Sequence, residues 1–311
     1  MFRTLSPILS GARRSNPYTW TSQTIPAIGS SERGIGYDGS TYWVSVNAEG
    51  AGISDLITST NGTSWTIQES ALNAMRSIDN DGTTWTVVGD SGYMITATDP
   101  TSTWTSRTSG FGSTNIAGVD YEGSTWVAVG DSGTMTTASD PTSTWTVNSS
   151  AGTVFGSDVI SATHYDGSTY HVAVGDNGKM ATATDPTSTW TSRTSSFGTT
   201  RIRDVNYSSK LSLWCAVGND GKIATASDPT STWTQRTNPF GGSEIITTVE
   251  WDSTQQLFVA VGNASTIAYS SDGISWTSDT GGFSNMWDLA YGDGFLIVVG
   301  DGPTLKTSRV L

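Results

Sequence analysis

The sequence is poor in the residues that build metal, disulfide and nucleophile sites. It has one cysteine and two histidines among 311 residues, so an intrachain disulfide is excluded. Cys215 lies in an apolar run, where we expect it to be buried and inert. The two histidines, His164 and His171, lack the spacing of metal ligands. There is also no phosphate-binding loop and no nucleophile elbow, so we expect neither a metal nor another cofactor.

Basic residues are scarce as well. Fifteen Lys and Arg face 28 Asp and Glu, which gives a formal net charge of −13. Such a surface repels phosphate backbones and anionic lipids, so we expect no nucleic-acid partner. No stretch approaches transmembrane length, and we expect no membrane insertion. The first residues, MFRTLSPILSGARRS, lack the apolar core of a secretory signal, which predicts synthesis in a cytoplasm.

One heptapeptide organises the chain. DPTSTWT occurs four times, beginning at Asp99, Asp140, Asp185 and Asp228, and looser forms occur elsewhere. Together they place seven tryptophans in one structural role: Trp20, Trp65, Trp104, Trp145, Trp190, Trp233 and Trp276. Successive members are 39 to 45 residues apart. Strand-like repeats of about 40 residues are typical of a β-propeller.

Each repeat divides into four short strands. The first ends in an aromatic and a turn such as YDG, and the second is apolar and mostly ends in Val-Gly. The third alternates Thr with small residues, and the fourth carries the tryptophan. His171 replaces an aromatic residue at the start of a second strand, so we expect it to pack in the interior.

Seven apolar second strands are present, but only six are followed by a tryptophan strand. The missing one stands at the other end of the chain, in Tyr18–Thr24. The sequence therefore predicts an all-β, seven-bladed β-propeller of four-stranded blades, closed by the N-terminal strand completing the last blade. We expect two regions, an N-terminal arm at 1–16 and the propeller at 17–311.

The repeat resembles a known family. VGDSGTMTTASDPTSTW, ending at Trp145, is similar to the BNR/Asp-box repeat of sialidase-like propellers and to the repeat of photosystem II assembly-factor propellers. Ser59–Trp65 and Ser270–Trp276 come nearest to an Asp box, one residue short of it. The resemblance covers nearly all of 18–311. It implies the propeller fold, and Asp boxes lie far from the catalytic sites of the enzymes that have them.

An arginine position recurs near the start of the first strands. Each first strand has an aromatic residue, or Asn80 in its place, just before its turn. The position four residues earlier holds Arg33, Arg76, Ala117, Ser161, Arg203, Thr247 and Trp287 in the seven repeats. Circular closure would array these positions around one end of the channel. The resemblance implies an anion or glycan site at Arg33, Arg76 and Arg203, because sialidases hold a carboxylate with three arginines. Alternatively, these arginines neutralise carboxylates that the first strands of the repeats carry, namely Asp79, Asp120 and Glu250.

Three functions follow from these patterns. The first is a non-enzymatic structural or adhesive component of a bacteriophage particle, located in the virion and contacting other virion proteins or a host-surface glycan. Its basis is composition, near-identical repeats and a basic arm with Arg3, Arg13 and Arg14 as the attachment to other virion proteins. The alternative is an assembly factor resembling those of photosystem II. A sialidase-like glycosidase is the third, and the lack of a tyrosine–glutamate pair beside the arginines argues against it.

Overall fold

The fold is a ring of seven four-stranded antiparallel sheets, as the repeat predicts. The computed structural model describes residues 17–26, 31–48, 54–280, 285–302 and 304–309. The arm predicted at 1–16 lies outside the described residues. Each sheet is one propeller blade, and six of the seven blades are built from four consecutive strands.

The blades follow the chain in order. The opening strand and the first three blades consist of β1 (Trp20–Thr24), β2 (Glu32–Tyr37), β3 (Trp43–Asn47), β4 (Ser54–Ser59), β5 (Thr66–Leu72), β6 (Met75–Asn80), β7 (Trp85–Gly89), β8 (Met94–Ala97), β9 (Thr105–Ser106), β10 (Ile116–Glu122), β11 (Thr125–Gly130), β12 (Met135–Ala138) and β13 (Thr146–Val147). Blades four to seven consist of β14 (Ile160–Tyr165), β15 (His171–Gly175), β16 (Lys179–Ala183), β17 (Thr191–Thr194), β18 (Ile202–Ser208), β19 (Leu213–Gly218), β20 (Ile223–Ala226), β21 (Thr234–Gln235), β22 (Ile246–Asp252), β23 (Leu257–Gly262), β24 (Thr266–Ser270), β25 (Thr277–Thr280), β26 (Met286–Gly292), β27 (Phe295–Gly300) and β28 (Thr304–Arg309).

The N-terminal strand completes the seventh blade. β1 pairs with β28, with Trp20 opposite Ser308 and Thr24 opposite Thr304. The predicted closure is therefore confirmed. A second tie precedes the strand, because the hydroxyl of buried Tyr18 donates to Asp252 Oδ2 of the sixth blade at 2.9 Å. One segment thus joins both ends of the chain and two neighbouring blades.

The hydrophobic core lies between adjacent blades. In one typical layer, Val172 and Met180 of blade four pack against Ile202 and Trp214 of blade five. The same arrangement links blade seven to blade one, where Ile297 and Val299 join a cluster with Ile35 and Trp43. Every second strand has buried residues along its length, as expected for a strand covered on both faces.

His171 is buried in this core, stacked on Tyr165 with ring centroids 4.2 Å apart. Its Nδ1 also pairs with the Glu122 carboxylate of the preceding blade, which the sequence pattern did not predict. Cys215 is buried too, and burial raises the pKa of its thiol. Both residues are therefore structural.

Antiparallel order gives the ring two different ends. The turns between second and third strands, with the starts of the first strands, lie at one end, here called the arginine end. The YDG-type turns and the DPTSTWT turns lie at the other, here called the box end. Because β1 occupies a fourth-strand position, the described chain begins at the box end.

The DPTSTWT turns are fastened locally at the box end. In the third blade, Asp140 Oδ1 accepts from the backbone N–H and the hydroxyl of Thr142, at 2.8 and 2.7 Å. The indole of Trp145 donates to the Pro141 carbonyl at 3.1 Å. Four of the seven tryptophans are buried, namely Trp65, Trp145, Trp190 and Trp233. The other three are half-buried: Trp20, Trp104 and Trp276.

One element was not predicted. A short helix, α1 (Ser149–Phe155), connects blades three and four, and the Asn148 side chain caps it by accepting from Ser150 N at 3.0 Å. It ends at Phe155, whose buried ring takes the place that Phe111 and Phe197 have in shorter connections. Within the described residues, no helix is long and apolar enough to cross a membrane.

Candidate functional site

A β-bulge in each first strand builds the arginine end of the channel. In the first blade the ladder pairs Glu32 with Asn47 and Gly34 with Val46, so Arg33 is left unpaired between them. The same irregularity occurs in all seven blades, at Arg33, Arg76, Ala117, Ser161, Arg203, Thr247 and Trp287. A bulge re-aims the side chain that it releases from the ladder. The position recognised in the sequence is therefore a column of bulge residues.

In six blades the glycine of Val-Gly admits a close approach of backbone beside the bulge, whereas the first blade has Asn47 at this position. A Cβ on Gly89 would lie 2.0 Å from the carbonyl oxygen of Ala74, the second residue before the bulge. That carbonyl accepts the Asp90 N–H at 2.9 Å and closes the end of the strand pair. The equivalent glycines of five other blades meet a carbonyl oxygen at 2.0 to 2.2 Å. At these six positions only a residue without a side chain fits the close approach.

All seven bulge residues line one cavity of 390 Å³, together with Ala48, Ala74, Asp90 and Arg201. Arg201, two residues before Arg203, was missed by the sequence pattern because it precedes the bulge. Its Nε lies 3.1 Å from Asp176 Oδ1 and donates to Ser161 Oγ at 3.1 Å. The cavity therefore brings together four arginines, of which the sequence predicted three.

Two of the predicted arginines are held by oxygen atoms of the turn in their own blade. Arg76 pairs with Asp90, and Arg203 Nε donates to Asn219 Oδ1 at 2.8 Å. Arg33 is different. Its guanidinium carbon lies 3.8 Å from the centre of the Trp287 ring, and within the described residues its buried Nε–H has no hydrogen-bond partner. The three arginines are therefore not equivalent.

Trp287 is fixed by its own hydrogen bond. Its indole N–H donates to Asp301 Oδ1 at 2.6 Å, and the same carboxylate accepts from Ser31 Oγ at 2.6 Å and Asn285 Nδ2 at 2.7 Å. These donors hold the pKa of Asp301 below its usual range despite partial burial. A charged carboxylate thus anchors the tryptophan on which Arg33 stacks.

Within the described residues, the carboxylates deeper in the channel form no salt bridge with these arginines. The prediction that the arginines neutralise Asp79, Asp120 and Glu250 is therefore wrong. These carboxylates accept hydrogen bonds from a neighbouring blade instead, the next one for Asp79 and Asp120 and the preceding one for Glu250. Asp79 Oδ2 accepts from Tyr121 N at 2.6 Å, and Asp120 Oδ2 accepts from Thr163 Oγ1 at 2.9 Å. Glu250 Oε2 accepts from Asn206 Nδ2 at 3.1 Å.

Asp204 and Asp288, which the sequence pattern overlooked, act in the same way. Asp204 Oδ2 accepts from Val249 N at 2.9 Å, and Asp288 Oδ2 accepts from Ile35 N at 3.1 Å. The latter bond ties blade seven to blade one. The channel carboxyls are therefore links between neighbouring blades around the ring.

Burial raises the pKa of these carboxyls above the usual range of Asp and Glu. Water reaches them through the channel, but protein surrounds them on the other sides, and desolvation disfavours the charged form. It raises the pKa of Asp79 to about 6, of Asp288 to about 7 and of Glu250 to about 8. Burial also lowers the pKa of the channel residue His164 to about 4, so this imidazole is neutral.

Among the described residues, the tyrosines and Glu250 of the channel are separated from the bulge positions of their own strands. The tyrosines, including Tyr37 and Tyr291, follow the bulge by four residues, which is about 13 Å along a strand. Glu250 lies three residues past its own bulge and is bound to Asn206. Within the described ranges, no group of three or more His, Cys, Asp or Glu side chains is placed to hold a metal ion.

The fold and the channel define a seven-bladed β-propeller. The sequence matches no protein-family model and no curated protein at a significant level. Among solved structures, a structure titled "YCF48 bound to D1 peptide" is similar, with a TM-score of 0.75 at 16% identity over 96% of this chain and 99% of that chain.

Two further structures show the same fold. YCF48 from Cyanidioschyzon merolae gives a TM-score of 0.70 at 14% identity, covering 93% of this chain and 98% of that chain. The WD40 propeller domain of Doa1 gives 0.71 at 12% identity, covering 94% and 96%. At such identities the similarity establishes the propeller architecture.

Proposed function

We propose that this chain is a non-enzymatic propeller that binds another protein, as an assembly factor does, and holds it at the arginine end of the channel. The observation that carries the proposal is the convergence of Arg33, Arg76, Arg201 and Arg203 on one cavity of an otherwise acidic protein. Arginine is the residue that best matches anionic groups of a partner. An anionic protein segment is thus the ligand class that this end favours.

The structural neighbours support the same direction. Two of them are YCF48, a photosystem II assembly factor, and one of these is described with a bound peptide. This favours the assembly-factor hypothesis over the virion hypothesis. A rigid ring that presents side chains from seven bulges suits recognition, since its site needs no rearrangement to bind.

Catalysis is not part of the proposal. The arginines supply binding alone, and equal binding of substrate and transition state leaves turnover unchanged. A fluorogenic sialoside assay tests this directly, and we expect no turnover above background. Turnover that Arg76→Ala abolishes would move the chain into the enzyme class.

A structural role in a virion is the second candidate, and the rim of the box end favours it. Four identical turns expose Asp99, Asp140, Asp185 and Asp228, and local hydrogen bonds lower the pKa of each carboxyl. Equivalent, charged turns around a rim allow weak contacts with other virion proteins or a glycan to add together.

Site-specific photo-cross-linking in the native source separates the two candidates. A photoreactive phenylalanine at Ala117, in the bulge column, probes the arginine end, and one at the exposed Thr142 probes the box end. We expect a covalent product with one partner protein from Ala117 and none from Thr142. A product from Thr142 alone supports the virion candidate, and no product from either position refutes partner binding at both ends.

A further inference from the structure

Among the described residues, Arg33 is the arginine of this cavity whose Nε–H is buried without a hydrogen-bond partner. Arg76, Arg201 and Arg203 each have an oxygen partner at Nε, in Asp90, Asp176 and Asn219. The Nε–H of Arg33 is buried and, within the described residues, unpaired. An unsatisfied buried donor is unfavourable, and such groups in native structures require an explanation.

The environment of Arg33 prepares it for one planar anion. Stacking on Trp287 occupies the face of the guanidinium, so its N–H groups point outward from the edge. Trp287 cannot turn easily, because its indole donates to Asp301, which Ser31 and Asn285 also hold. A preorganised fork loses little conformational entropy when it binds.

The same surroundings select the charge of the ligand. Asp90 lines the cavity and Asp301 binds the indole N–H of Trp287, so a ligand at Arg33 approaches two carboxylates, and a dianion meets more repulsion there than a monoanion. A carboxylate carries one charge and two coplanar oxygens that match an Arg edge. We propose that Arg33, held by Trp287, is the anchor for a carboxylate of the partner protein, from a side chain or a chain terminus. The proposal rests on the protein-binding function above.

This assignment separates Arg33 from its equivalents. Arg203 occupies the same bulge position in blade five but is already committed to Asn219, and so serves as a matched control. The probes are three short Ala/Gly peptides: one with a free C-terminus, its amide, and the amide carrying an internal Glu. Inorganic phosphate is the competitor.

Binding is followed by the side-chain Nε–H signals of arginine in NMR spectra of the whole chain, with the Arg33 signal assigned by Arg33→Gln. We expect carboxylate probes to shift that signal, the plain amide to leave it unchanged, and Arg33→Gln to weaken binding by roughly tenfold or more. Arg203→Gln should weaken binding less than about threefold, which is the effect expected from the loss of one solvent-exposed charge contact. Comparing the first and third peptides identifies terminus or side chain as the source.

Trp287→Leu tests the positioning role. It should weaken carboxylate binding while Arg33 stays charged, whereas Trp287→Phe should retain most of it. Equal losses from Arg33→Gln and Arg203→Gln, stronger binding of phosphate than of carboxylate, or no shift with any probe would each overturn the assignment. A partner cross-linked at Ala117 but unaffected by Arg33→Gln refutes this inference alone. Carboxylate binding at Arg33 with no cross-linked partner refutes the proposed function alone.

Discussion

Trp233 and Trp104 stand in identical DPTSTWT turns and differ in burial, which makes them a matched pair for measuring what the repeat tryptophan contributes. Trp233 is 1% exposed and packs in the core shared by blades four and five. Trp104 is half-buried. Both indoles donate to the proline carbonyl of their own turn, at 3.2 and 3.3 Å. The hydrogen bond is thus the same, and buried area is the variable.

We expect Trp233→Ala to lower the free energy of unfolding by about 3–5 kcal/mol, as for other buried aromatic truncations. Trp104→Ala should cost about half as much, because the transfer free energy scales with the apolar area removed from water. Urea unfolding followed by circular dichroism and by fluorescence gives the values where both transitions coincide. Equal losses would show that the turn's hydrogen bond, and not burial, sets the contribution.

Three more predictions concern the channel carboxyls, the Tyr18 hydroxyl and the N-terminal arm. Because the folded pKa values of Asp79, Asp288 and Glu250 are raised, the folded state binds more protons, and the free energy of unfolding should fall as pH rises from about 4 to 8. Asp288→Asn should flatten that profile in urea titrations, and an unchanged slope would contradict the linkage. Tyr18→Phe should cost about 1.5–3 kcal/mol by calorimetry, since it removes a buried donor to Asp252; a loss near zero would show that the bond does not help closure. Deleting residues 1–14 should leave the melting temperature unchanged but reduce incorporation into the native assembly, and undiminished incorporation would exclude the arm as its attachment.

The architecture was predictable because its signals are local and repeated. Turn glycines, the apolar Val-Gly strand and the box tryptophan each report on a few neighbouring residues, and seven copies reinforce one another. Because the last repeat lacks a tryptophan strand and the N-terminus has one, the sequence also predicted that the strand of Trp20 closes the ring. The glycine of Val-Gly was recognised as a pattern, but its cause, a carbonyl oxygen 2.0 Å from the Cβ position in the second blade, needs coordinates.

The site was predictable only in part, because its decisive contacts join distant parts of the chain. The column containing Arg33 followed from counting within the repeat. Its stacking on Trp287 depends on blade seven meeting blade one, which no local pattern encodes. Likewise, Asp79 has its donor in the next blade, so the prediction that an arginine neutralises it was wrong.

The bulge explains why one ring can combine uniform packing with varied recognition. The ladder residue just before the bulge is apolar in six blades, as in Met75, Ile116 and Ile202. The bulge itself carries Arg, Ala, Ser, Thr or Trp. A residue left out of the ladder contributes little to strand pairing, so its identity can change without loosening the sheet. Seven such positions meet at one cavity, where, within the described residues, the buried Nε–H of Arg33 has no hydrogen-bond partner and its guanidinium stacks on Trp287. The stability of the ring and the chemistry of its open end are therefore set by different residues of the same strands.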